Sequence, residues 1–244
     1  MTLASADGQV PGWLVDLAKA AQTMTVPAEL RPPRDGGRRS AILILFGTGS
    51  GAADSTAGPD LLLVQRSQSL RRHPGQAAFP GGVIDPDDDG PVGAALREAA
   101  EEAGVEASGV QVVSVLSDLY IPRTGYQVSP VLGWWRQPAP VVPGDPAEVA
   151  AAARVPVAEL ADPANRFMVR YPNGGAGPAF RAEAMLVWGF TAFLIGQLLA
   201  LGGWERPWDT KHVVEVPDGL PGVDVGLGTG LPASRLPTTG RRIP

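Results

Sequence analysis

The sequence predicts an α/β fold, and three observations carry that expectation. Residues 41–46 (AILILF) and 61–65 (LLLVQ) are short aliphatic runs with the length and composition of buried strands. Residues 92–103 are rich in Ala, Leu, Arg and Glu and stop against Gly104, which suits a left-handed helix terminus. Of 244 residues, 44% are apolar and 18% charged, which allows a packed core and excludes a wholly disordered chain. The expected organisation is an N-terminal extension over 1–37, a central domain over 38–206 and a Gly/Pro-rich, flexible tail over 207–244.

The elements follow in order. Trp13, Leu14, Leu17, Ala20 and Ala21 recur at helical spacing, so residues 11–24 predict a short amphipathic helix. The strands at 41–46 and 61–65 flank a Gly/Ser-rich stretch, 47–60, and read as a hairpin with an expandable surface connection. Phe79-Pro80-Gly81-Gly82 predicts a sharp turn, and residues 85–90 an acidic loop. Beyond the helix at 92–103, residues 109–119 and 126–135 read as strands around the turn IPRTG. Residues 148–154 suit a helical turn or a strand. Residues 184–201 predict a long buried helix; Gly189, Thr191, Gly196 and Gln197 interrupt it and argue against a membrane span. Trp134, Trp135 and Trp188 read as core rather than as a stacking platform.

Charge and composition exclude several functions. A net charge of −5 disfavours a chain that coats duplex nucleic acid or anionic membrane. The absence of cysteine excludes disulfides, thiolate metal sites and a cysteine nucleophile. Residues 1–10 lack the basic and apolar segments of a signal peptide, so a cytoplasmic location is expected. A homodimer is left open.

The chemistry concentrates on the strongest helix. Glu98, Glu101 and Glu102 stand at i, i+3 and i+4 and share one face, with Leu96, Ala100 and Ala103 assigned to the other. Like charges at these spacings repel by about 0.2–0.5 kcal/mol per pair, and the helix dipole disfavours anions in the last turn. Both penalties point to a cation, and a hard divalent ion such as Mg²⁺ or Mn²⁺ suits carboxylate oxygens. Arg97, inside this acidic cluster, can orient a carboxylate through its guanidinium fork. Taken alone, the hexapeptide also suits a solvated helix face; its flanks decide.

With those flanks, GGVIDPDDDGPVGAALREAAEEAGV resembles the Nudix box, Gly, five residues, Glu, seven residues, then Arg-Glu-U-x-Glu-Glu-x-Gly-U with U apolar. Arg97, Glu98, Glu101, Glu102, Gly104 and Val105 match in place. The upstream half departs: the acid eight residues before Arg97 is Asp89 rather than Glu, and it stands one residue too far from Gly82. Just before it, LLVQRSQSLRRHPGQAAFPGG resembles the signature of the coenzyme A pyrophosphatase branch, with Arg66, Ser67, Arg71, Gly75, Phe79, Pro80, Gly81 and Gly82 in register and Val64 in place of a Thr. That branch also carries GGxxDPxD, matched by Asp85, Pro86 and Asp88.

The resemblance implies an α/β/α sandwich with a mixed sheet, and hydrolysis of a nucleoside diphosphate linked to another moiety. It implies Mg²⁺ or Mn²⁺ held by Glu98, Glu101, Glu102 and the Gly82 carbonyl, with Arg97 supporting catalysis and Arg66, Arg71 and Gly81 binding substrate. For coenzyme A the products would be 3′,5′-ADP and 4′-phosphopantetheine. The general base is left open between a box glutamate and Glu148. ADP-ribose, NADH or a nucleoside triphosphate is the alternative substrate, although the array that follows the box in NADH members is missing here. A catalytically silent nucleotide-binding module is the reading from another class.

Overall fold

β1 (Arg38–Thr48) is the central strand of an eight-stranded mixed sheet in the computed structural model, which describes residues 9–49, 58–70, 73–171 and 175–215. From Arg38 to Phe46 it runs parallel to β7 (Tyr126–Trp135). Its other edge is divided between two partners. The end of β1 pairs antiparallel with β2 (Pro59–Arg66) from Phe46 to Thr48, and its beginning pairs with β4 (Gly81–Val83) from Ser40 to Ile42. Further along β2, Val64 and Gln65 pair with β3 (Ala77–Ala78). β1 and β2 therefore diverge, and residues 77–83 fill the wedge between them. β8 (Val149–Pro156) covers the far edge of β2, and β5 (Val110–Val115) and β6 (Leu119–Ile121) share the far edge of β7.

Successive side chains of β1 point to opposite faces, and both faces are buried, which explains its unbroken aliphatic run. Leu43 and Leu45, with Leu62 and Val64, pack against Ala94, Ala95, Ala99 and Ala103 of α2 (Gly90–Ala103). Ile44 and Phe46, with Leu61 and Leu63, pack on the other side against Leu14 and Leu17 of α1 (Gly12–Gln22) and Ile195 and Leu198 of α4 (Gly189–Leu201). Short α3 (Val157–Ala161) adds Val157 and Leu160 to that second core. The result is the α/β/α sandwich that the sequence resemblance implied. A smaller sheet of order β11 (Met185–Val187), β10 (Ala176–Ala182), β9 (Arg166–Arg170) and β12 (Val213–Glu215) lies beside it.

Several expectations change. Gly81 and Gly82 belong to a strand rather than a turn, because the diverging β1 edge offers them hydrogen-bond partners. Residues 109–119 do not form one strand: β5 ends at Val115 and β6 begins at Leu119. The helix expected over 184–201 begins at Gly189, since Met185–Val187 pair with β10. Ala100 is exposed and does not share the buried side of α2, which runs through Ala95, Ala99 and Ala103. Of residues 148–154, Val149 onward are strand and Glu148 lies in the turn before it. Within the segment expected to be a flexible tail, Val213–Glu215 pair parallel with β9; its continuation, 216–244, lies outside the described residues, as do 50–57 of the hairpin connection. The N-terminal extension contributes Leu14, Leu17 and Leu30 to the main core. Among the described residues no helix is long and apolar enough to cross a membrane.

One buried ion pair locks β8 onto the hairpin. Arg154 donates from Nε to Asp60 Oδ1 at 3.1 Å, from Nη2 to Asp60 Oδ2 at 2.7 Å, and from Nη2 to the Thr48 carbonyl at 3.0 Å. Its guanidinium also lies over the Trp135 ring at 5.3 Å. Burial pushes the Asp60 carboxyl up, and the charge and hydrogen bonds of Arg154 oppose that rise. Arg154→Met would leave Asp60 buried and alone, so a loss of about 3–5 kcal/mol in urea unfolding is expected. A loss below about 1 kcal/mol would show that the pair does not hold this edge.

Candidate active site

α2 carries the acidic cluster because its remaining positions are small. Gly104, at φ 68°, closes the helix by donating to the Ala100 carbonyl at 3.1 Å, and Val105 N–H reaches Ala99 at 3.2 Å. The alanine stripe lets the helix lie close to the sheet. Glu102 follows Ala99 by three residues, falls on the edge of that stripe and is 7% exposed. Glu98 is half-buried, and Glu101 points outward with its side chain 60% exposed. One helix face thus divides into three environments.

The Glu102 carboxylate is met by a backbone donor: Gly81 N–H reaches its Oε2 at 3.0 Å. Burial pushes this carboxyl up to about 7, against the pull of the Gly81 amide; the charges of Glu98 and Glu148 raise it further and that of Arg66 lowers it. Burial likewise raises Glu98, with Arg97 opposing and Glu101 and Glu148 adding to the rise. Glu148, immediately before β8, is brought beside the pair because its carbonyl accepts from Ser67 N–H at 2.8 Å.

Arg97 ties the cluster together. Its Nε and Nη2 donate to Asp88 Oδ1 and Oδ2, both at 3.0 Å, in a two-pronged grip. Nη2 also donates to the Val83 carbonyl at 3.1 Å, while Nη1 reaches Glu98 Oε1 at 3.0 Å and Glu101 Oε2 at 3.3 Å. Asp88 is in turn held below the usual carboxylate range, chiefly by that guanidinium. By spacing, the acid at the box position is Asp89, where the sequence already departs from the pattern. In the structure Asp89 stands at the N-terminal boundary of α2, where its side chain makes no capping bond, and Asp88 is the residue that grips Arg97. The signal for it was the DPxD step ahead of the helix.

The wedge strand β4 separates these carboxylates from a pocket of about 340 Å³. Arg66, Gly81, Gly82, Ile42, Tyr126 and Trp188 belong to its lining. The three glutamates do not line it; they stand behind the Gly81–Gly82 backbone. At Gly81 a Cβ would run into the backbone of Ala41 and Ile42, so glycine is needed for β4 to lie this close to β1, and at Gly82 a Cβ would displace the Glu98 carboxylate. Arg66 keeps a buried Nε without a hydrogen-bond partner, while its charge acts on Glu102. Arg71 lies outside the described residues. Sequence reasoning missed the wall formed by Phe190 and Thr191, and it placed Trp188 in the core, where it is 5% exposed yet also faces the pocket.

Glu98 and Glu102 suit a hard divalent cation in kind: both are oxygen donors, both are pushed toward protonation by burial, and Glu98 raises Glu102 further. Glu101 is turned outward onto Arg97, and among the described residues no three acidic or histidine side chains are gathered into a ready-made cage. The Gly82 carbonyl belongs to the strand that crosses this pair.

Hard oxygen donors next to a cationic pocket are the equipment of hydrolases that act on phosphoric anhydrides. The family model described as the NUDIX domain matches residues 38–171, more than half of the chain, and the chain belongs to the Nudix family. An uncharacterized Nudix hydrolase, NudL, of Escherichia coli strain K12 is 39% identical over 143 residues, covering 57% of this chain and 73% of its own. The NudL protein of Yersinia enterocolitica is 36% identical over 149 residues, covering 57% and 72%. The solved structure of a Nudix hydrolase from M. smegmatis, RenU, aligns at 25% identity and a TM-score of 0.41 over 56% of this chain and 84% of its own. The protein is a Nudix hydrolase; members of the family generally use divalent metal ions and act on small nucleotide derivatives.

Asp88→Ala would release Arg97 from its grip, and kcat is expected to fall about 10–100-fold while the fold survives; unchanged turnover would remove Asp88 from the machinery. The metal-free protein is expected to show a pH signature. The Glu102 carboxyl sits at about 7 in the folded state against 4.5 for a free glutamate, so its contribution to stability is present at low pH and is lost as pH rises through about 7. Glu102→Gln retains an acceptor for Gly81 and removes that loss. At pH 8 the metal-free variant should unfold with about 2–3 kcal/mol more stability than wild type, and at pH 5 the two should agree within about 1 kcal/mol.

Proposed function

We propose that this Nudix hydrolase cleaves the diphosphate of coenzyme A or its thioesters, releasing 3′,5′-ADP and 4′-phosphopantetheine or its acyl form. One observation carries the reading: Arg66, Phe79, Gly81 and Gly82, through which the sequence resembles the coenzyme A pyrophosphatase branch, line a single pocket beside Glu98 and Glu102. Signature residues from both ends of a segment spanning 62–82 thus serve one cavity.

In this reading Glu98, Glu101 and Glu102, with the Gly82 carbonyl, hold Mg²⁺ or Mn²⁺. Bound there, such a cation would neutralise charge on the diphosphate oxygens and make the attacking water more acidic. Arg97 acts through the carboxylates: it fixes Glu98 and Glu101, and Asp88 fixes Arg97. Arg66, which lines the pocket, offers its guanidinium to a diphosphate oxygen. Arg71, from the same signature, is assigned to substrate as well. The water's proton passes to a nearby carboxylate, either a box glutamate or Glu148, whose charge already bears on Glu98 and Glu102. A small-molecule substrate and a cytoplasmic setting accompany this reading, and a net charge of −5 disfavours duplex nucleic acid or an anionic membrane as partner.

Mass spectrometry of coenzyme A incubated with the protein and Mg²⁺ or Mn²⁺ is expected to detect 3′,5′-ADP and 4′-phosphopantetheine. Glu102→Gln should lower kcat on the order of 100-fold or more, equivalent to several kcal/mol of lost charge stabilisation. Cleavage of ADP-ribose with coenzyme A left intact would overturn the substrate assignment and leave the Nudix chemistry standing.

A further inference from the structure

One wall of the pocket comes from beyond the segment that the family model matches. Residues 38–171 supply the β1, β4 and β7 sides, while Trp188, Gly189, Phe190 and Thr191, at the junction of β11 and α4, supply another. Substrate preference can therefore be set by a part of the chain that does not carry the acidic helix.

Apart from Arg66 and His73, which would meet the diphosphate end, the lining favours a flexible, neutral group over a stacked base. Trp188 is 5% exposed and leans against Tyr171, with ring centroids 6.2 Å apart. Tyr126 lies under the Arg38 guanidinium, 5.6 Å from its ring centroid. Phe190 is half-buried, and Phe79, which also lines the pocket, is only 3% exposed, so the rings of Phe79 and Trp188 leave little free face on which a base could stack. Thr124, Thr191, Ile42, Ile121 and Val128 also line the pocket, from both of its sides. No carboxylate lines the pocket among the described residues. Methylenes against the aliphatic surfaces and amides against the hydroxyls would satisfy such a slot. Its volume of about 340 Å³ lies near the small end of ligand pockets and suits one arm of a two-armed substrate.

We infer that this pocket receives the neutral amide-and-methylene arm of the diphosphate substrate, that Phe190 and Thr191 determine specificity for it, and that the nucleotide arm lies outside. The inference rests on the coenzyme A reading and adds the direction in which the substrate lies.

Two cleavage products separate the two arms. Binding of 4′-phosphopantetheine and of 3′,5′-ADP to the full chain with Mg²⁺ would be measured by titration calorimetry for wild type, Phe190→Trp and Thr124→Trp. The two substitutions narrow the slot from different elements, so a folding failure in one leaves the other to decide. Each variant is expected to weaken 4′-phosphopantetheine about tenfold or more, to change 3′,5′-ADP less than about twofold, and to raise KM for coenzyme A more than it lowers kcat. Loss of 3′,5′-ADP with 4′-phosphopantetheine retained would overturn the inference and place the base in the pocket. Unchanged binding of both fragments would overturn it by removing the pocket from the substrate path. If wild type cleaves coenzyme A and either of those results is obtained, this inference alone fails. If wild type neither cleaves coenzyme A nor binds either fragment, the substrate assignment fails and this inference falls with it.

Discussion

A carboxylate carried on the buried stripe of a helix must find a donor, and in this protein the Gly81 amide provides it for Glu102. Much of the architecture around the site is consistent with that one contact. For the amide to be available, β4 must leave Gly81 N–H directed at α2 while still pairing with β1. For the strand to come close enough to β1, residue 81 must lack a side chain, since a Cβ there would meet the backbone of Ala41 and Ile42, and a Cβ at residue 82 would push the Glu98 carboxylate aside. The divergence of β1 and β2 creates the wedge in which such a strand fits. Burial leaves the carboxyl near neutrality in its titration, so the group is held in a state that a cation would relieve.

Around that contact the charges form a graded arrangement. Asp88 neutralises Arg97 from one side, and Glu98, Glu101 and the Val83 carbonyl receive other donors of its guanidinium. The guanidinium is planar and permanently charged, so it can fix the orientation of two carboxylates without competing for a proton. Glu102 lies on the far side of this network and is reached by Arg66 and Glu148 through charge rather than through a hydrogen bond. Three glutamates adjacent on one helix thus have separate physical tasks, because each is exposed to a different degree.

The two faces of the sheet divide the remaining work. α2 presses its alanines on one face and presents the acids; α1 and α4 cover the other and close the large apolar core. The pocket meets the acids across the glycine strand, and its outer wall comes from the start of α4. The acids and the outer wall of the pocket thus come from different segments of the chain.

How much of this was legible beforehand follows from the range of each interaction. α2, its Gly104 stop, the strands near 41–46 and 61–65 and the identity of Arg97, Glu98, Glu101 and Glu102 could be read from the sequence, because helix propensity, capping and short motifs are local. The choice of Asp88 over Asp89 could not be read from spacing alone, since it depends on which carboxylate the loop turns toward Arg97. Likewise Gly81 and Gly82 have turn composition, and only a β1 edge left vacant by β2 makes them a strand. Met185–Val187 and Val213–Glu215 carried too little pattern to be separated from a helix and a tail; pairing with β10 and β9 decided them. The sequence by itself determined the donor chemistry and the helix that carries it. Tertiary structure alone decided which glutamate is buried, that Glu148 stands beside the pair, and that Trp188, Phe190 and Thr191 wall the pocket, because those outcomes depend on contacts between residues far apart in the chain.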